Sequence, residues 1–196
     1  MHTIKPGVLK DMHKQLRKYS ILAKQDISVW EYTRGTFLGD GYEMEDCKGE
    51  IRSGERWYAA YDSAHFFKAT VTVPEIMDGK EIRAKLQVGG EALVKLNGEY
   101  ISGATTRDII PDRTEVTLGV HKAGEQLNFE IEATCDSMYF CDEAMDGAKY
   151  QECCMGDTFI FVADEDCEGY FVDIMVGFEA LEFIKDEHVK AKVYAA

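Results

Sequence analysis

Between Phe67 and Ala133, apolar side chains fall on every second position, and this alternation limits the chain to a narrow set of folds. Ile82, Ala84, Leu86 and Val88 alternate with Glu81, Arg83, Lys85 and Gln87 without an exception. Upstream, Phe67, Ala69, Val71 and Val73 face one way and Lys68, Thr70 and Thr72 the other, until Pro74 ends the strand by lacking an N–H to donate. Ala92, Val94 and Leu96 point inward around Lys95, and Tyr100 and Ile101 begin a return strand. Further on come Val116, Leu118 and Val120, then Leu127, Phe129, Ile131 and Ala133 with Asn128, Glu130 and Glu132 outside. Asp78-Gly79, Gly89-Gly90, Asn97-Gly98 and Lys122-Ala123-Gly124 supply the turns, Asn97-Gly98 being the strongest short hairpin signal among them. No crossover helix fits between such strands, so the sheet is antiparallel and buried on one face. Two such sheets back to back make a sandwich.

The period changes at both ends. Over residues 6–24, Val8, Leu9, Met12, Leu16, Tyr19 and Leu22 recur near 3.6, after Pro6 in the first turn, and predict an amphipathic N-terminal helix. From Asp166 the helical period returns through Cys167, Tyr170, Phe171, Ile174, Met175, Phe178, Leu181 and Ile184. The expected division is therefore residues 1–24 as a helix, 25–164 as the sandwich and 165–196 as a C-terminal helical segment. Trp30 to Gly54 reads as irregular because Gly35, Gly39, Gly41 and Gly49 break any period. Residues 135–156 read as an excursion without regular structure, followed by the apolar strand Phe159–Val162. Val189 to Ala196 carry no stop signal, as expected of a piece cut from a longer protein.

Charge excludes some partners. With 22 basic and 36 acidic residues the chain carries −14, a surface that repels phosphate backbones and argues against nucleic acid. The charge is also segregated: residues 1–24 hold six Lys/Arg against Asp11 alone. The longest apolar stretch, Phe159–Ala163, is far below the roughly 20 residues that span a bilayer, so no membrane is expected. No basic-then-apolar leader opens the chain. The six cysteines lack any Cys-x-x-Cys spacing, which points to reduced structural thiols in the cytoplasm.

Catalytic patterns are missing. None of His2, His13, His65, His121 and His188 sits in a zinc spacing, and no nucleophile elbow, phosphate loop or dinucleotide fingerprint occurs. His65 reads as a structural or edge residue. The strand carboxylates alternate toward water, where they do little acid–base work. No catalytic residue, metal ligand or cofactor is therefore expected in this chain. The aromatics before the first clean strand are the best remaining signal. Trp30, Tyr32, Tyr42, Trp57, Tyr58 and Tyr61, with Asp62 or Arg56 to hydrogen-bond hydroxyls, would make a saccharide platform; in the plainer reading Trp57 and Tyr58 plug the end of the sandwich. A free-standing carbohydrate-binding module or a plain interaction domain would also fit.

Arg56-Trp57-Tyr58, the strand ending Thr70-Val71-Thr72-Val73-Pro74 and the segment from Gly90 to Gly103 (GEALVKLNGEYISG) carry a more specific signal. With Phe129–Cys135 they resemble the N-terminal non-catalytic region of glycoside hydrolase family 38 alpha-mannosidases of the cytosolic and bacterial type. The resemblance covers most of residues 25–187. It implies a jelly-roll, galactose-binding-like β-sandwich packed on a catalytic domain of the same parent chain. The parent would hydrolyse terminal alpha-mannosides with a divalent metal, zinc being the expected ion. The family's catalytic and metal-binding motifs match no position here. Phe171, Ile174, Phe178 and Leu181 are the expected interdomain or oligomer contacts, the oligomer being of identical chains.

Overall fold

A computed structural model describes residues 19–46, 48–59, 63–105, 113–134 and 151–193. The chain divides into two compact units, Ala23–Val162 and the two termini Met1–Leu22 with Ala163–Ala196.

The larger unit is built from strands β1 (Ile21–Asp26), β2 (Trp30–Phe37), β3 (Tyr42–Met44), β4 (Gly49–Ile51), β5 (Arg56–Ala59), β6 (Ser63–Thr72), β7 (Lys80–Leu86), β8 (Glu91–Leu96), β9 (Glu99–Thr105), β10 (Glu115–His121), β11 (Gln126–Thr134), β12 (Gln151–Cys154) and β13 (Thr158–Ala163). One sheet runs β1-β13-β7-β10; the other runs β3-β2-β6-β11-β8-β9, with β4 also on β2; β12 pairs with β5 alone. The β10–β7, β13–β7, β2–β6, β11–β6, β11–β8 and β8–β9 ladders are all antiparallel, as the short connections require. Ile82, Ala84 and Leu86 from the smaller sheet are wholly buried in one core with Phe67, Val94, Phe129 and Ile131 from the larger. Each of these side chains larger than Ala84 contributes about 1.5–3 kcal/mol by leaving water. The alternation predicted each of these named positions as inward.

Turn chemistry also follows the sequence. Asn97 and Gly98 both adopt positive φ (51° and 88°), which closes the tight β8–β9 hairpin. Gly89 has a different reason. At φ 84° it passes so close to the β12 backbone that a Cβ would stand 3.0 Å from Cys153 Cβ and Cys154 O.

Three expectations are corrected. Ile21–Lys24 belong to strand β1, not to the end of a helix; the rest of the expected 6–24 helix falls outside the described residues but for Tyr19 and Ser20. Residues 30–54 contain β2, β3 and β4. They escape a periodicity search because the inward set Trp30, Tyr32, Arg34 includes an arginine, held by bidentate bonds to Glu45 at 2.7 and 2.9 Å. The excursion at 135–156 ends in β12, which pairs Cys153 with Trp57 and Glu152 with Tyr58; residues 135–150 fall outside the described residues. A smaller correction concerns Val120. A bulge between Thr117 and Gly119 shifts the β10 register, and Val120 is 68% exposed instead of inward.

In the smaller unit, α1 (Glu165–Phe183) and α2 (Glu187–Val193) form the helical segment. Asp164 caps α1 by accepting from the Cys167 N–H at 3.0 Å, and Glu165, Asp166 and Glu168 in the first turn suit the positive end of the helix dipole.

Candidate functional site

Cross-strand register sorts the larger sheet into rows that share a face. The row Tyr32–Phe67–Ile131–Val94 and the row Arg34–His65–Ala133–Ala92–Ala104 point into the sandwich. The rows Thr33–Phe66–Glu132–Leu93–Gly103 and Glu31–Lys68–Glu130–Lys95–Tyr100 are offset from these by one residue and point outward.

The inward rows gather an aromatic cluster around His65, which is fully buried. Tyr32 stacks on its imidazole at 5.8 Å between centroids, and Trp57 lies against the ring at 4.4 Å. Tyr32 Oη stands 2.8 Å from Nδ1 and Ser63 Oγ 3.1 Å from Nε2, so both ring nitrogens are partnered. Burial, helped by the nearby Arg34 guanidinium and opposed by Glu45, lowers the His65 pKa to about 4. The imidazole is therefore neutral near pH 7. It has no open face from which to abstract a proton.

The expected saccharide platform is distributed differently from the sequence reading. Trp30 is wholly buried, its Nε1–H donating to Thr158 Oγ1 at 2.9 Å, and that hydroxyl donates in turn to the Ile27 carbonyl at 2.9 Å. Trp57 is 2% exposed and donates to the Val88 carbonyl at 2.7 Å. Neither indole offers a face to a sugar, because each is enclosed in the core and satisfies its N–H there. Tyr32 is half-buried on His65; Arg56 and Tyr58 are exposed on β5, and Tyr61 and Asp62 fall outside the described residues. Phe171, Ile174, Phe178 and Leu181 all lie in α1, and their side chains fall outside the described residues.

A second arrangement lies on the outward rows. Leu93 is 50% exposed opposite Glu132, and Gly103, which has no side chain, follows on the next strand. There a groove of about 520 Å³ opens, lined by Glu91, Leu93, Thr105, Arg113, Glu132 and Thr134 among others. At its side Tyr42 packs edge-on against Phe66 and donates its phenol to Glu132 Oε1 at 2.5 Å. That bond to a carboxylate raises the Tyr42 pKa to about 12. Of this face the sequence reading named Tyr42 alone, although a second signal was present. In the alternation Ala92, Val94, Leu96, residue Leu93 is an apolar side chain on the wrong side.

Residues 25–171 match the family model described as alpha-mannosidase, jelly roll domain. The chain belongs to that family. No curated protein matches it. Among solved structures it is similar to a Faecalibacterium prausnitzii beta-glucuronidase (12% identity, TM-score 0.45), covering 72% of this chain and 31% of that one. A GH2 beta-galacturonidase from Eisenbergiella tayi is similar at 15% identity and a TM-score of 0.47, over 74% of this chain and 25% of that one. A GH31 alpha-xylosidase from Xanthomonas citri is similar at 12% identity and a TM-score of 0.36, over 73% and 19%. The chain thus spans under a third of the length of these structures.

Among the described residues no group of three or more His, Cys, Asp or Glu side chains converges. Among the described residues no helix is long and apolar enough to cross a membrane.

Proposed function

We propose that this jelly-roll domain is the non-catalytic N-terminal part of a retaining alpha-mannosidase, in which it packs on the catalytic domain and borders the active site or the oligomer contact. The parent would remove terminal alpha-mannosides, using a divalent metal bound elsewhere in its chain. The observation that carries this reading is the family match over residues 25–171, joined to an apolar interior in which His65 is neutral and enclosed. The contact surface proposed for packing is α1, where Tyr170, Val176 and Phe183 are 63%, 59% and 82% exposed. A helix that is apolar on more than one side calls for a neighbour on each. The cysteine pattern, six residues without a Cys-x-x-Cys spacing, supports a reducing compartment, the cytoplasm.

Hydrolysis of an aryl alpha-mannoside tests the reading. The purified chain should leave the substrate at the no-enzyme rate with or without added zinc, while the parent enzyme turns it over. Metal-dependent turnover by residues 1–196 alone would overturn it. In the parent, Phe183→Asp should loosen the domain, read as faster protease cleavage near the helix, with the catalytic pocket itself unaltered.

A further inference from the structure

We propose that the outward groove over β11, β8 and β9 binds a neutral saccharide, with Leu93 against an apolar sugar face and Glu132 and Arg113 on its hydroxyls. The groove's volume of about 520 Å³ lies within the roughly 300–1,000 Å³ of small-ligand sites. Its lining has the mixed character a pyranose requires. Leu93 supplies an exposed apolar surface for ring C–H groups, and Gly103 keeps the adjoining strand low enough for a ring to approach. Glu91 and Glu132 accept hydrogen bonds, the Arg113 guanidinium donates, and Thr105 and Thr134 do either. Two carboxylates facing one guanidinium leave the groove mildly negative, which disfavours phosphorylated or carboxylated ligands. The lining is also held in place before a ligand arrives. Glu132 is fixed by the Tyr42 phenol, Tyr42 by Phe66, and Thr105 by its backbone N–H donating to the Arg113 carbonyl at 3.1 Å. Such preorganisation reduces the ordering cost of binding. The site differs from the Trp30–Trp57 platform, whose indoles are core residues. It goes beyond the domain assignment, from which it takes only the choice of mannobiose as probe; the mannoside assay reads turnover and the test below reads binding at named residues, so the two fail independently.

The test is a titration of the chain with alpha-linked mannobiose, followed by amide chemical shifts. Saturable shifts centred on Leu93, Gly103 and Arg113 are expected at millimolar sugar. Arg113→Ala and Glu132→Gln should each weaken binding about tenfold, the loss of one charge-assisted hydrogen bond, with the melting temperature of Arg113→Ala unchanged. Tyr58→Ala, on the separate β5–β12 ribbon, should bind as the parent sequence does. No saturable shift at these amides would overturn the inference, as would binding that survives both groove substitutions or is lost on Tyr58→Ala.

Discussion

Two tyrosines on the same sheet, Tyr32 and Tyr42, show what its two faces do with similar chemistry. Tyr32 points inward, stacks between strands and spends its hydroxyl on His65. Tyr42 points outward, packs on Phe66 and spends its hydroxyl on a carboxylate that still faces solvent. Inside, every described polar atom around His65 has a partner from the protein, so the cluster can specify the fold but has nothing left to offer a ligand. Outside, Glu132 keeps one oxygen and open space beside it. Polar groups become functional where water can still be replaced, and aromatic content alone does not identify that place.

The contrast can be broken experimentally. The largest effect is expected for Trp57→Ala, which empties the space between His65, Phe67 and the Gly89 turn. It should cost about 3–5 kcal/mol, read as a lowered urea midpoint. Next comes the pH dependence of His65. Its pKa is about 4 in the fold and near 6.5 when unfolded, so the unfolded chain binds the proton first. Stability is complete above pH 6.5, falls as the pH drops, and by pH 4 has lost about 3 kcal/mol. A neutral substitute such as His65→Gln should flatten that window in urea melts at graded pH; an unchanged slope would show that His65 is not the group responsible.

The third and fourth predictions are a matched pair. Tyr32→Phe strips the buried Nδ1 of its partner and should cost about 1–3 kcal/mol. Tyr42→Phe makes the same chemical change on the outward face, where water replaces the phenol, and should cost under about 1 kcal/mol. Equal costs would mean that the two faces are not electrostatically distinct. The exposed Glu130 carboxylate, held below its usual range by Lys68, should contribute little to either curve because solvent screens it.

Legibility in the sequence followed the strength of the period. From Phe67 to Ala133 the alternation gave strands, faces and hairpins almost without error, because each inward position had to be apolar. Where an inward position was polar but satisfied, as at Arg34, the pattern dissolved and β2 to β4 were overlooked. The bulge at Gly119 shows the same limit from another side: one extra residue reverses a face without altering composition. The candidate groove could not be read because its residues come from β8, β9, β11 and the segment at Arg113, far apart along the chain.

By itself the amino-acid order determined an antiparallel sandwich with apolar interiors, a negative surface and kinship with alpha-mannosidase jelly rolls, since these depend on local alternation and contiguous motifs. Only the tertiary structure decided that both tryptophans are core, that His65 is enclosed and neutral, and that Leu93, Glu132 and Arg113 share one groove. Burial and adjacency depend on strand order and register, which are properties of the assembled sheets and of no single segment.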